Sequence, residues 1–558
     1  MCGRCVVSRG GRRRAPRRKT SVTSKGLLLG VGVVLAGGAV AVGVTVWPDG
    51  AKETPGGAAS TAAREAPVSE EAAAPAPSPT PTRTYALSKK PQTIPAVRGF
   101  EAARGPGWKP AEGGRVVVRN GALADEGKLT AKELGLTYGG EAQSRAGDVE
   151  LALTGTKPSV SEAYTLTVKG GKVRIAAPAE AGVFYGTRTL KQEVRGGRTA
   201  PEGVVKDQPA KPQRGFMLDI ARKHFTAGWI EDRVRELGDL KYNQLGLHFS
   251  DDQGFRIEST SHPEVVSQQH LTKAQVKKIV QLAAARHITV VPEIDSPGHL
   301  GAVIAAHPDL QLRNAKGVAT RGAVDISKPA AAKIIDDLLN EYADVFPGAY
   351  WHLGADEYQA LVVSNPEASY PQLATAARQK YGSNATVKDL ATGWLNDRAK
   401  VMAAHDRTLR AWNDGFFRGG TVQASKSLQV AYWTGKEYGA RPPVEYLSAG
   451  RKVVNYNDEF LYYVLGEPNA FKYPTGQRIY EQWTPRVLRG TTAVAAKYDG
   501  QILGGSFAVW CDLANRQTEA QVAAGVRMPL RALAQKVWDP AKPGLTWTQF
   551  KTLAGRVS

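Results

Sequence analysis

From residue 209 onward the chain alternates short apolar runs with helical patterns, and no other feature constrains its fold as strongly. Eight runs qualify as strands: RGFMLD (214–219), NQLGLHF (243–249), ITVVPEI (288–294), YWHLG (350–354), TLRAW (408–412), LQVAYW (428–433), RKVVNY (451–456) and ILGGSFAVW (502–510). Helices fit between most of them, for example Thr272–Arg286 and Lys388–His405, whereas Asn413–Ser427 is too rich in glycine for a good helix. Strand–helix alternation predicts a parallel sheet covered by helices. Eight such strands within 209–558 match the size of a (β/α)8 barrel with long loops.

The barrel does not use the whole chain of 558 residues. Residues 93–205 read as a small α/β domain. RVVVRN, VELALTG and YTLTVKGGKVRIAA look like strands joined by tight glycine turns, and AEAGVFYGTRTLKQEV has a helical pattern. Residues 48–92 are mostly Ala, Pro, Ser, Thr and Glu, a composition expected to remain a disordered, extended spacer. The run Gly26–Trp47 carries no charge. A helix of that length spans a hydrocarbon core of ~30 Å and exceeds the ~7–15-residue apolar region of a cleaved signal. The expectation is an uncleaved transmembrane anchor over 27–47, with a cleaved signal as the alternative. The basic tail 1–26 then lies in the cytoplasm and the remainder outside the cell.

The net charge of +21 invites a nucleic-acid reading, but nine of the positive charges sit in that acid-free tail. No basic run is interleaved with aromatics, so a nucleic-acid partner is not expected. The cysteines are Cys2 and Cys5 in the tail and Cys511 near the end, so the fold does not depend on a disulfide.

In a barrel of this kind the active site lies at the C-terminal ends of the strands. Those positions hold Asp219 and Arg222; Asp251 and Asp252; Glu293, Asp295 and His299; Asp356 and Glu357; Trp412; Trp433; Tyr456 and Asn457; and Trp510 and Asp512. Carboxylates without a phosphate-binding loop suggest acid–base work, and tryptophans suggest stacking on sugar rings; together they point to glycosidic bond cleavage. Asp356 and Glu357 are adjacent, so they do not easily straddle a sugar as the two carboxyls of most retaining glycosidases do. They suit a substrate that supplies its own nucleophile. Each residue also has a plainer reading: Asp219 as a cap, His299 as a loop ligand, His248 as a core histidine, single tryptophans as packing. Asp251, Asp252, Glu293 and Asp295 could in principle hold a metal, but nothing in their spacing fixes ligand geometry.

WHLGADEY (351–358) resembles the H-x-G-x-D-E signature of glycoside hydrolase family 20, the β-N-acetylhexosaminidases. RGFMLDIARKHF (214–225), HFSDDQGFRIE (248–258), VVPEIDSPGH (290–299) and FAVWCD (507–512) resemble further blocks of that family in the same order, and GVFYGTRTLKQ (182–192) resembles the end of its preceding small domain. The resemblance implies that Glu357 is the general acid and then the base. It implies that Asp356 holds the substrate's 2-acetamido N–H while the acetamido oxygen attacks C1. Asp251 and His299 would form a relay to Glu357, and Asp295 would support Asp356. Arg222 and Asp512 would bind sugar hydroxyls, and Trp412, Trp433 and Trp510 would wall the pocket. Asp512 stands where the family usually has Glu. No metal or cofactor is implied, and the partner is a glycan with a terminal N-acetylhexosamine. Release of a disaccharide, as by a lacto-N-biosidase, and glycan binding without catalysis are the alternatives. The family's usual tyrosine near strand seven superposes on Phe460 in NYNDEFLYYVLG (455–466). Tyr462 would share a strand face with Phe460 and is expected to supply the missing hydroxyl, with Tyr463 next.

Overall fold

A computed structural model describes residues 84–155, 161–437 and 440–557. The expected cytoplasmic tail (1–26) and anchor (27–47), and most of the spacer, lie outside the described residues. Among the described residues no helix is long and apolar enough to cross a membrane.

The second half of the chain forms the expected closed barrel. Its eight parallel strands are Gln213–Asp219, Gln244–His248, Thr289–Glu293, Tyr350–His352, Thr408–Trp412, Gln429–Tyr432, Val453–Asn455 and Ile502–Trp510, which we number one to eight. Each pairs with the next, and strand eight returns to strand one, with Phe507 opposite Phe216. The first and last strands are buried along almost their whole length. That is why they read as continuous apolar runs rather than alternating ones. Helices begin where the sequence offers caps: Thr272 and Thr386 each close a capping box, opening helices Lys273–Ala284 and Val387–Ala403. Between strands five and six only the short 3-10 turn Asn413–Gly415 forms, as its glycines suggest.

Residues before the barrel form a mixed seven-stranded sheet backed by helices Ala124–Leu134 and Glu180–Val194. Strands Tyr164–Lys169 and Lys172–Ala177 make a hairpin through Gly170 and Gly171, both at positive φ (57° and 71°), as a tight two-residue turn requires. The spacer expected over 48–92 is docked at its described C-terminal end: Leu87 bridges Arg104, and Ser88 Oγ donates to the Glu202 carbonyl at 2.5 Å.

The two parts share a buried ionic junction. Arg214 at the base of strand one forks onto Glu162 of the small domain at 2.7 and 2.8 Å. Lys241 donates to Tyr164 and Thr189 at 2.8 Å each and pairs with Asp207 at 3.5 Å. Trp538, on the last barrel helix but one, is packed in the small domain's core and donates to Asp207 at 3.0 Å.

Candidate active site

Strand four ends in a sharp turn that presents the two central carboxylates. Gly354, Ala355 and Glu357 all adopt positive φ (64°, 79° and 46°). Gly354 is required twice over, because a Cβ there would lie 1.7 Å from Asp295 Oδ1. Left-handed backbone at the non-glycine Ala355 and Glu357 costs roughly 1 kcal/mol or more each, a strain typical of functional sites. The turn separates its neighbours: the Asp356 side chain is 12% exposed and faces inward, whereas the Glu357 side chain is 35% exposed at the mouth.

A chain of buried polar groups runs from the barrel axis to Glu357. Trp412 Nε1 donates to Glu293 at 2.7 Å, and His248 Nδ1 lies 3.2 Å from the other Glu293 oxygen. His248 Nε2 is 2.8 Å from Asp251, and Asp251 is 3.3 Å from His299 Nδ1. His299 Nε2 then lies 3.4 Å from Glu357 and 3.7 Å from Asp356. Burial opposes charge on both imidazoles, but the carboxylates prevail: His248 is raised to about 10 by Glu293 and Asp251, and His299 is raised well above its usual value by Asp251 and Asp356. The His299 interaction, more than burial, sets Glu357, whose carboxyl is held below its ordinary range. His352 does not join this chain, since its Nδ1 accepts from Gly354 N at 3.1 Å and so has no proton to give Glu293.

Deeper in, like charges crowd together. Asp295 Oδ1 accepts from Ala355 N at 2.7 Å. Burial, with the charge of Glu293, raises Asp295 to about 7, and burial with the neighbouring Asp295 raises Asp356 well above the carboxylate range. The pair therefore holds a proton near neutrality. Asp356 Oδ1 and Trp510 Nε1, both on residues that line the cavity, are buried without a hydrogen-bond partner, as groups that meet a ligand would be.

These groups surround a cavity of about 650 Å³. Trp433 and Tyr462 stack in parallel on one wall, with centroids 5.6 Å apart, and Trp510 lies 5.8 Å from Tyr462. Trp412 is not in the wall; at 1% exposure it lies beneath, holding Glu293. Tyr462 occupies the cavity as expected, but for a different reason. Phe460 belongs to the short helix Asp458–Leu461, so no common strand face relates the two. Instead Tyr462–Val464 is a short strand added beside strand eight, and Tyr462 and Val464 both face the cavity. Tyr463 points away, bonded to Gln517 at 3.0 Å and stacked on Tyr473.

A second cavity, also about 650 Å³ and more polar, meets the first at Arg222, His299, Glu357 and Asp512. Arg222 bonds Asp219 and Asp251 at 3.1 and 2.8 Å, with its guanidinium 5.2 Å from the Trp510 ring centre. Asp219 is a structural tie that also accepts from Cys511 N at 2.9 Å.

Several residues escaped the sequence reading. Asp414 accepts from Glu357 N at 3.1 Å and from Trp433 Nε1 at 2.9 Å, and burial raises it to about 6. It lies two positions beyond Trp412, so the strand-end rule could have found it. His248 is the central link of the relay. Glu437 and Lys436 line the cavity from a loop whose path the sequence pattern does not define, and Lys436 pairs with Asp458, three positions past the end of strand seven, which the sequence already offers as a hydroxyl ligand. Burial and the nearby Glu357 raise Glu437 to about 7.

The model of the glycosyl hydrolase family 20 catalytic domain matches residues 212–541, and that of the family's domain 2 matches residues 90–208. The chain belongs to glycosyl hydrolase family 20. Among its relatives, a lacto-N-biosidase of Bifidobacterium bifidum is 30% identical over 471 residues, covering 83% of this chain and 41% of that protein. A β-hexosaminidase of Porphyromonas gingivalis is 31% identical over 350 residues, or 57% of this chain and 43% of that one. The chain thus spans less than half the length of either. The solved structure of a family 20 β-N-acetylhexosaminidase from Streptomyces coelicolor A3(2) shares the fold, with a TM-score of 0.66 at 23% identity over 84% of this chain and 95% of that one. Both matched domains coincide with the small sheet domain and the barrel, in the order the sequence anticipates.

Proposed function

We propose that the protein is a β-N-acetylhexosaminidase that removes terminal N-acetylhexosamine by substrate-assisted, retaining hydrolysis. The observation carrying this reading is the division of labour at strand four. Asp356 faces an aromatic chamber beside Tyr462, and its neighbour Glu357 stands at the mouth, backed by His299. A sugar in the chamber displaces water and raises Glu357, so the proton shared with His299 passes to Glu357 and then to the leaving oxygen. As the C1–O bond breaks, the acetamido oxygen closes on C1. Asp356, which holds the pair's proton in the free protein, would pass it to Asp295 as positive charge develops, and then accept from the acetamido N–H and balance the oxazolinium charge. Tyr462 would donate to the attacking oxygen. Glu357, now a carboxylate, takes a proton from the water that opens the ring, so the anomeric configuration is retained.

The first test is release of p-nitrophenol from its N-acetylglucosaminide, with a thiazoline analogue of the intermediate as competitive inhibitor. No turnover, or turnover indifferent to the thiazoline, rejects the proposal.

Disaccharide release is a second reading, favoured by the polar cavity beyond Arg222 and the short Asp512 and by the match to a lacto-N-biosidase. A p-nitrophenyl lacto-N-bioside cleaved faster than the monosaccharide would select it. The uncharged run 27–47 is proposed as a membrane anchor holding the catalytic part outside the cell. Membrane fractionation of the full chain tests this, and a secreted mature form starting beyond Trp47 would refute it.

A further inference from the structure

Away from the catalytic cavity, His262, Glu264 and His307 bring three metal-ligating atoms within 4.8 Å of one another. His262 and Glu264 belong to the 3-10 turn at Pro263–Val265 and its cap, in the long loop after strand two. His307 ends helix Gly301–Ala306, which begins two residues after His299. Glu264 Oε1 lies 2.9 Å from His262 Nδ1 and 2.9 Å from His307 Nε2. The far nitrogen of His262 is 3.1 Å from Asp337 Oδ2, and Lys333 pairs with that same carboxylate.

This arrangement does not suit neutral histidines without a cation. A neutral imidazole has one N–H and one lone pair. When the His262 proton points at Asp337, Nδ1 turns its lone pair onto a Glu264 oxygen at hydrogen-bond distance. A metal ion between them removes that conflict. Two imidazole nitrogens and one carboxylate form a zinc ligand set that leaves a fourth position for water, and a carboxylate behind the ligating histidine is the usual support for such a ligand. Tetrahedral bonds of ~2.0–2.1 Å separate ligand atoms by roughly 3.4 Å, so each of the two 2.9 Å separations from Glu264 needs to open by only about half an ångström. The three side chains are partly exposed, at 14%, 42% and 27%, which leaves an entry path.

We propose that His262, Glu264 and His307 form a binding site for a divalent cation of the zinc class, with Asp337 orienting His262. The ion stabilises the fold. It ties the loop after strand two to the helix after His299, a contact now made by Gly301 N donating to Asp252 at 3.0 Å.

The test is zinc chloride titrated into the full chain carrying Cys2→Ser and Cys5→Ser, which removes the tail thiols, followed by calorimetry and thermal unfolding. One zinc per chain and a zinc-dependent rise in Tm are expected. His307→Ala should abolish both, and Asp337→Asn should weaken binding by about 10–100-fold while glycoside turnover stays intact. Absence of a zinc-dependent Tm shift, or zinc binding of unchanged strength in His307→Ala, overturns the proposal. Zinc that binds only at the other close group, Asp295, His299 and Asp356, also overturns it; such zinc would compete with substrate and survive His307→Ala.

Discussion

The junction below the barrel and the site above it both bury many charges, but they balance them differently. At the junction each buried cation meets a carboxylate: Arg214 forks onto Glu162, and Lys241 faces Asp207. At the site carboxylates outnumber cations, and Asp295, Asp356 and Asp414 are all raised by burial. Paired burial yields a fixed geometry, although burial still pushes Lys241 down to about 8 and the nearby Glu193 up to about 8. Crowded like charges yield groups that bind or release protons near neutral pH, at a cost in stability. Crowding of carboxylates beside an open cavity, rather than a shifted pKa alone, separates chemistry from structure.

Changes at the two places should therefore have opposite signatures. The largest effect is expected from Glu357→Gln, with kcat on substrates having poor leaving groups falling by about 10²–10⁴ while binding persists. Steady-state kinetics with a natural disaccharide decides it, and a loss under about tenfold, or ~1.4 kcal/mol, removes Glu357 from the role of acid. At the junction, Lys241→Met leaves Asp207 buried without its cation and should cost about 3–5 kcal/mol of unfolding free energy, with kcat/KM unchanged. Denaturant unfolding beside the same assay checks both, and a turnover defect without destabilisation would erase the distinction.

Next comes Tyr462→Phe, which removes the hydroxyl proposed to donate to the acetamido oxygen and should lower kcat by about 10²–10³. Tyr463→Phe, whose hydroxyl bonds Gln517 outside the cavity, should be nearly silent. Equal small effects would mean that another residue holds the acetamido oxygen. The smallest effect is a shift in pH dependence. Asp251 helps raise His299, so Asp251→Asn lowers that imidazole's pKa and moves the alkaline limb of kcat/KM to lower pH. A limb that stays in place, or moves upward, contradicts the relay.

The barrel was legible because its strands are apolar on both faces and punctuated by helices, so all eight could be located. Their C-terminal ends then named Asp356, Glu357, Asp251, His299, Arg222 and Trp510 without knowledge of any contact. Depth was not legible. Trp412 and Trp433 look equivalent in sequence, yet one holds Glu293 from below and the other walls the cavity. Glu437 reaches the site from the loop after strand six, whose course depends on tertiary packing, whereas Asp414, two positions past Trp412, was within reach of the strand-end rule. The junction pairs are separated by 52 residues for Arg214–Glu162 and 34 for Lys241–Asp207, and no periodicity announces them. Tyr462 was identified on a strand-face argument that Phe460, sitting in a helix, does not support.

The central claim is that the substrate's own acetamido oxygen is the nucleophile. The most direct measurement is kcat/KM across p-nitrophenyl glycosides bearing N-acetyl, N-monofluoroacetyl, N-difluoroacetyl and N-trifluoroacetyl groups. Each fluorine withdraws electrons from the attacking carbonyl oxygen, so the account predicts a steep, monotonic fall across the series. A flat series would mean that a protein group or water attacks C1, and would contradict the account.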